Sequence, residues 1–362
     1  MKSEKPQSLE SQLKMARPRR AEVKRVPLTP EEKEFLGEIM DKAVAAEKAG
    51  DLARAIGFYT DYKNELLKIK DKKEKLIELK EQYEDQIETL KKIGLIEQLP
   101  NGEMGFYDIN DKPRRIPTYE EILERVEAKK EFVEKKKEQG FTQLLLVPFG
   151  MKLSDMAEKA KELILKKYKE GNLKGTNGDE LELNEDKPIR LHKDYQDGNA
   201  DISGDLIYYP EKYDQKNHSG KTKKEILEEA GGWDIMFIED LPDLPAEGKG
   251  KEVGGRKQLE ANKTPEQYLE KMKEDEQYAG ESGMTPEAEL SYFMCYLQKN
   301  NKVIDDWDGS GRANWNLAGY LKFSGGVCFS RWGRISRQLN LDCVRPHARS
   351  YEYAVRASVR IY

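Results

Sequence analysis

Cysteine is scarce in this sequence, and long apolar runs are absent from it. The 362 residues include three cysteines, Cys295, Cys328 and Cys343. They form neither an even disulfide framework nor a paired CxxC metal pattern. No stretch approaches the roughly 20 apolar residues of a membrane-spanning helix, and the first part of the chain lacks the apolar core of a secretory signal. We therefore expect a cytoplasmic protein without membrane contact, although export by a route without a cleavable signal stays open.

Lysine is missing from one segment of a chain that is otherwise rich in it. Charged residues make up 36% of the sequence, so much of the chain must be surface or solvated helix. From Phe323 to Tyr362, however, there is no lysine, although there are seven arginines. This ending is basic, whereas the whole chain has a net charge of −5. Its composition therefore requires a separate explanation.

The sequence divides into four regions. Residues 1–28 are basic, contain few large apolar groups and are predicted to be a disordered arm. Residues 29–95 are predicted to form a helical hairpin and a short coiled coil. Residues 96–140 are predicted to be a turn-rich linker followed by a connecting helix. Residues 141–362 are predicted to form a mixed domain.

Polar motifs mark the helices of the first half. Thr29 and Glu32 form a capping box, and Gly50 suits the left-handed position after a helix. Further on, apolar residues recur seven apart, which favours a short coiled coil or an antiparallel helix pair. Homo-oligomerisation through these helices is a related expectation. The heptad positions are Ile69, Leu76, Tyr83 and Leu90.

The second half alternates strands and helices. The apolar run from Leu144 to Val147 predicts a buried strand, and residues 205–210 and 233–240 predict two more. Two helices are predicted to begin at Thr-Pro-Glu sequences, at Thr264 and Thr285. Together with the helical first half, this order predicts an α+β fold.

Motifs for catalysis or metal binding are incomplete. The sequence SGKTKKE matches the end of a phosphate loop, but Gln215 stands where that loop needs glycine. Cys343 and His347 are four apart and Cys328 could join them, but no fourth ligand or orienting carboxylate is indicated. We therefore predict no enzymatic activity, no cofactor and no bound metal.

Three explanations compete for the lysine-free ending. The first is that strands favour Tyr, Val and Ile over Lys. The second is a nucleic-acid surface, because arginines interleaved with Trp332, Tyr351 and Tyr353 can hold phosphates and stack on bases. The negative net charge of the chain argues against a nucleic-acid surface. The absence of lysine also argues against it, because lysine normally shares phosphate contacts with arginine. The third explanation is a resemblance.

The segment SRWGRISRQLNLDCVRPHARSYEYAVRASVRI follows WDGSGRANWN and SGG. It resembles the C-terminal variable region of diversity-generating retroelement target proteins, which implies a C-type-lectin-like domain. In that family, template adenines are mutated during reverse transcription, mostly in asparagine codons. Changing the adenines of AAC or AAT gives Ser, Tyr, Asp, His, Cys or Arg among others, but never Lys, Glu, Gln, Met or Trp. The resemblance therefore accounts for the missing lysine.

The resemblance also divides the ending, within a variable region of about 324–356, into fixed and diversified positions. Strand alternation would send Leu339, Leu341 and other apolar residues to the core, with Arg356 and Arg360 as scaffold. The others would face a ligand, and among them Trp332, which cannot arise from an asparagine codon, would be fixed or come from another codon. The predicted ligand-binding residues are Ser330, Arg331, Trp332, Arg334, Ser336, Asn340, Asp342, Cys343, Arg345, His347, Arg349, Tyr351 and Tyr353.

The function that this resemblance implies is the display of a variable binding surface, without catalysis. The ligand is expected to be a protein, and nucleic acid is the less favoured alternative. The Trp-Asn-Asp motif of calcium-dependent lectins is absent, because Leu317 follows Trp315 and Asn316. Metal-dependent sugar binding is therefore not expected.

Overall fold

A computed structural model describes residues 8–18, 27–192 and 200–362 of the chain. Both helices and strands are present, so the predicted α+β class is confirmed. The chain divides into two units, Met1–Glu81 and Gln82–Tyr362. Within the described ranges, no helix is both long and apolar enough to cross a membrane.

The described part of the first unit is helical. The predicted capping box is present, because the Thr29 amide donates to Glu32 at 2.7 Å and the Glu32 amide donates to Thr29 at 3.2 Å. Gly50 has a φ of 79° and ends the turn between the second and third helices. These helix-boundary predictions are therefore confirmed. The helices are α1 (Leu9–Ala16), α2 (Pro30–Lys48) and α3 (Leu52–Ile93).

Helix α1 corrects the prediction of a disordered arm at residues 9–16. Ser8 caps this helix by accepting a hydrogen bond from the Ser11 amide at 3.3 Å. Leu13 is buried in a cluster that includes Ala43 and Tyr59. The sequence signal was weak because a single leucine provides most of the contact. Residues 1–7 and 19–26 of the predicted arm lie outside the described residues.

The heptad pattern belongs to α3, a single helix of 42 residues. Its first part packs against α2, where Leu36 lies in a buried cluster with Tyr62 and Leu66. Ile77, further along, is 56% exposed. An antiparallel helix pair is thus present at the beginning of α3, and oligomerisation stays a prediction.

The predicted linker contains a small antiparallel sheet rather than turns alone. Its strands are β1 (Glu97–Gln98), β2 (Met104–Tyr107) and β3 (Pro113–Arg115). The buried carboxylate of Asp108 accepts from the Lys112 amide at 3.0 Å and from Arg114 at 2.7 Å, which holds the turn between β2 and β3. Strands this short show too little alternation of polar and apolar residues to be recognised in the sequence.

The predicted connecting helix is two helices, α4 (Tyr119–Ala128) and α5 (Lys130–Glu138). The helix break lies at Lys129, whose φ of −119° and ψ of 28° are not helical. At the start of α4, Thr118 and Glu121 form a capping box.

Two larger sheets follow. Their elements, with the intervening ones, are β4 (Gln143–Val147), α6 (Leu153–Lys169), β5 (Ile189–Leu191), β6 (Leu206–Tyr208), β7 (Lys221–Thr222), α7 (Lys223–Ala230), β8 (Asp234–Ile238), β9 (Glu252–Val253), β10 (Arg256–Lys257), α8 (Pro265–Glu274), a 3-10 turn (Glu276–Tyr278), β11 (Ser282–Gly283), α9 (Pro286–Asn300), β12 (Asp306–Trp307), β13 (Ala313–Leu321), β14 (Gly326–Gly333), β15 (Gln338–Val344), β16 (Tyr353–Ala354) and β17 (Ala357–Arg360).

The first of these sheets has the strand order β11-β17-β8-β4 and is antiparallel throughout. The second has the order β5-β15-β14-β13-β6-β7, with β12 parallel to β14 and β16 parallel to β13.

The core of the second unit lies around β4 and α9. Residues 144–147 are fully buried, which confirms the predicted strand. Helix α9 begins at Thr285, as predicted, and packs against α6, β4 and the sheet of β13 and β14. Residues 286–295 are buried on all sides of this helix. Because α9 is buried on all sides, it holds in place the sheet that carries the lysine-free ending.

We expect Leu13→Ala to lower the free energy of unfolding of the first unit by about 2 kcal/mol, because it leaves a cavity under α1. Met15→Ala is the matched control, since Met15 is 67% exposed, and its effect should stay within about 0.5 kcal/mol. Hydrogen exchange of residues 9–16 measures the difference. Equal exchange in the two variants would contradict the packing of α1.

Candidate ligand-binding site

The lysine-free ending forms β14, β15, an irregular loop at 345–352, β16 and β17. Strands β14 and β15 are antiparallel neighbours, so their side chains alternate between two faces. We call the face that packs against α9 the inner face and the opposite one the outer face. The inner face carries Cys328, Ser330, Trp332, Leu339, Leu341 and Cys343, and the outer face carries Phe329, Arg331, Asn340 and Asp342.

The inner face is part of the core. Trp332 is fully buried and stacks on Phe293 of α9, with 6.5 Å between ring centroids and 8° between planes. The Ser330 hydroxyl donates to Asn316 at 3.3 Å, and the Asn314 amide group donates to Glu289 of α9 at 2.7 Å. Polar side chains on this face therefore bond to neighbours inside the protein.

Arg356 lies at the centre of this buried polar network. Its guanidinium binds both carboxylate oxygens of Asp305, at 2.9 and 3.0 Å, and lies 3.4 Å from Glu289. Its backbone amide donates to Asn314 at 2.8 Å. Burial alone would lower the pKa of Arg356, but the two carboxylates raise it, so the guanidinium stays charged. Arg356 is therefore a structural residue of the core.

The outer face carries an aromatic cluster. Trp315 and Tyr353 stack with centroids 4.5 Å apart, and Phe329 meets Tyr353 edge to face at 5.2 Å. The guanidinium of Arg331 lies 3.6 Å from the ring centroid of Trp307, a distance typical of a cation–π contact. Trp307, Arg331 and Tyr353 are all partly exposed.

Arg331 differs from Arg334 and Arg360 in its contacts. Arg334 forms two hydrogen bonds with Asp306, at 2.8 and 2.7 Å, and Arg360 binds Asp234 at 2.8 Å. Among the residues that the structure describes, Arg331 forms no ion pair. Burial raises the pKa of the nearby Asp308 carboxyl, an effect that the charge of Arg331 opposes.

The loop after β15 is the most accessible part of the ending. Arg345, His347, Arg349 and Tyr351 are all exposed, Tyr351 by 67%. The Arg349 side chain donates to the carbonyl of Asn262 at 3.0 Å, which attaches the loop to the chain before α8.

The predicted ligand-binding residues thus fall into separate environments. Ser330, Trp332 and Asn340 are buried, because the first two lie on the inner face and β5 pairs beside Asn340. Their side chains are not displayed, which corrects that expectation. The remaining residues are partly or fully exposed, and they are Arg331, Arg334, Ser336, Asp342, Cys343, Arg345, His347, Arg349, Tyr351 and Tyr353.

Two features of the site were not predicted. Trp307 contacts Arg331 because β12 pairs with β14, a long-range contact that no local pattern indicates. Cys343 and His347 were weighed as a pair, but His347 instead lies 3.5 Å from Glu266 of α8. The WDGSGRANWN segment was noted for its resemblance only, although it carries Trp307.

We expect Arg356→Ala to lower the free energy of unfolding by about 3–5 kcal/mol, because it leaves buried carboxylates without their counter-charge. The matched control is Arg345→Ala, since Arg345 is exposed, and its effect should stay within about 0.5 kcal/mol. Urea unfolding of both variants measures this difference. A small loss for Arg356→Ala would mean that the network does not hold the inner face.

The chain matches no protein-family model, no curated protein and no solved structure. The function of the chain must therefore be inferred from its own residues. The inner face is buried, whereas the outer face and the 345–352 loop offer arginine and aromatic side chains.

Proposed function

We propose that this chain is a non-enzymatic display protein that binds a protein ligand through the outer face and the 345–352 loop. In this proposal, residues 141–362 form a C-type-lectin-like domain, and a retroelement diversifies the binding surface. The observation that carries the proposal is Arg331, a partly exposed residue whose guanidinium lies over the ring of Trp307 and forms no ion pair with any described residue.

The environment of Arg331 favours recognition over a structural role. Stacking on Trp307 restricts the guanidinium, so less conformational entropy is lost when a ligand binds. The planar group can donate two parallel hydrogen bonds to a carboxylate. A structural arginine would have such an acceptor already, as Arg334 has in Asp306. Arg331 is therefore suited to an acidic group on a ligand.

The exposed loop extends this surface with the same chemistry. Arg345 and Arg349 add positive charge, and Tyr351 adds an exposed aromatic ring. Arginine and tyrosine supply many of the strongest contacts in protein interfaces. We therefore infer that the ligand is a protein with an acidic patch.

The two faces support diversification of one surface on a fixed scaffold. Changes at exposed positions usually alter stability by less than about 0.5 kcal/mol, whereas truncations in a core cost about 2–5 kcal/mol. The proposed contact set is accordingly narrower than the sequence predicted, because Ser330, Trp332 and Asn340 are buried. The lysine-free composition of the ending and the mixed α+β class also fit the proposal.

Two further expectations belong to the proposal. A cytoplasmic location fits the scarcity of cysteine. Homo-oligomerisation would involve α3, where apolar side chains such as Leu67 and Ile77 are 62% and 56% exposed.

Nucleic acid is the alternative ligand, and the geometry favours it less. Base stacking needs an open aromatic face. The Trp315 ring is buried against Tyr353, and the guanidinium of Arg331 covers one face of Trp307. Among the outer-face rings, this leaves little room for a base.

Two libraries test the proposal. The first library randomises partly or fully exposed residues, namely Arg331, Arg345, His347, Arg349 and Tyr351. The matched control library randomises Ser330, Trp332, Leu339 and Leu341 on the inner face. We expect most members of the first library to fold and some to bind an acidic model protein, whereas most control members unfold. Surface display with a protease challenge measures folding, and sorting measures binding.

Two outcomes would contradict the proposal. Equal loss of folding in the two libraries would mean that the outer face is also structural. A folded first library without binders, together with salt-sensitive retention of the original chain on single-stranded DNA that Arg331→Ala removes, would favour the nucleic-acid alternative.

A further inference from the structure

His192, Asp342 and Cys343 come together at the edge of the second large sheet. Strand β5 runs parallel to β15, and the His192 amide donates to the Leu341 carbonyl at 2.8 Å. One potential ligand atom from each of the three side chains lies within 4.8 Å of the other two. All three residues are partly exposed. A donor set of imidazole, carboxylate and thiol is therefore accessible to solvent.

The conformation of Asp342 explains how consecutive strand residues can share one site. Neighbouring side chains on a strand normally point to opposite faces. Here Oδ1 of Asp342 accepts a hydrogen bond from the Cys343 amide at 2.9 Å, so the carboxylate is turned along the strand. The same oxygen lies 3.9 Å from Nε2 of His192. Asp342 is thereby placed between the other two donors.

We propose that His192, Asp342 and Cys343 bind a zinc ion. Zinc takes nitrogen, sulfur and oxygen ligands at about 2.0–2.3 Å, which places tetrahedral ligands about 3.3–3.8 Å apart. The three donors need to approach one another by about 1.5 Å at most, which rotation of partly exposed side chains can supply. Imidazole and thiolate favour zinc over calcium or magnesium, which prefer oxygen ligands. Three protein ligands leave the fourth position to water or to another ligand.

Arg190 supports the arrangement from its far side. Its guanidinium lies 3.1 Å from Oδ2 of Asp342, the oxygen that does not bind the Cys343 amide. An ion pair at the second carboxylate oxygen helps to orient such a ligand, as the outer partners of metal sites do. Oδ1 is left as the metal-binding oxygen. The positive charge of Arg190 opposes a cation, but its side chain is 52% exposed, which weakens that repulsion.

This site goes beyond the proposed display function, because zinc binding requires neither Arg331 nor the 345–352 loop. It also replaces the pairing of Cys343 with His347 that the spacing of four residues suggested. His347 lies beside Glu266, whereas His192 reaches Cys343 from a distant part of the sequence.

Metal titration of the full chain tests the proposal. The protein is kept reduced with a phosphine and titrated with zinc against a chromophoric chelator, and separately with cobalt(II). We expect one zinc ion per chain and a thiolate-to-cobalt charge-transfer band. His192→Ala, Asp342→Asn and Cys343→Ser should each weaken zinc binding at least about 10-fold, the effect that even an outer partner can have. Cys343→Ser should also remove the band.

His347→Ala and Cys328→Ser are the matched controls and should retain both signals. The proposal would be overturned if the original chain did not bind zinc stoichiometrically or did not show the thiolate-to-cobalt band. Neither of these results depends on a variant. Unchanged binding in Cys343→Ser or His192→Ala, or loss of binding in Cys328→Ser alone, would also overturn it. Thermal midpoints of the metal-free variants show whether each is folded.

Discussion

The buried charge of Arg356 is the constraint on which the second half of the molecule depends. A guanidinium without water must be surrounded by acceptors, and these come from separate parts of the chain. Asp305 precedes β12, Glu289 belongs to α9, and the Leu241 carbonyl follows β8. Three segments must therefore take fixed positions around one side chain. The inner face of β14 and β15 lies on this rigid base.

The proposed ligand surface on the outer face depends on that rigidity. With the inner face fixed, Arg331 and Trp307 stay in contact, although no described residue forms an ion pair with Arg331. The same sheet joins residues that lie far apart in the sequence. It brings Trp307 to Arg331 through β12, and His192 to Asp342 through β5. One scaffold thus supports both the proposed ligand surface and the proposed zinc site.

Local signals predicted the fold better than they predicted the site. Thr29 and Gly50 marked helix ends correctly because caps depend on neighbouring residues only. The buried strand at residues 144–147 was equally plain, because a short apolar run needs little context. Helix α1 was not predicted, because the burial of its leucine depends on packing against alanines that are distant in the sequence.

The candidate site depends on pairing between strands that are distant in the sequence, and amino-acid composition does not reveal such pairing. The missing lysine indicated that the ending is unusual, but it could not tell inner residues from outer ones. Ser330 and Arg331 are neighbours with the same predicted role, but in the structure Ser330 is buried and Arg331 is partly exposed. The register of β14 determines which of these two side chains is buried. That register is set by the pairing of β14 with β13 and β15.

The DNA sequence around the gene tests the central claim most directly. The account predicts a nearby reverse-transcriptase gene and a near-copy of the last part of the coding sequence that differs only at template adenines. The differing codons should include those of Arg331, Arg345 and Tyr351 and exclude those of Leu339 and Leu341. Finding neither the gene nor the near-copy would contradict the account.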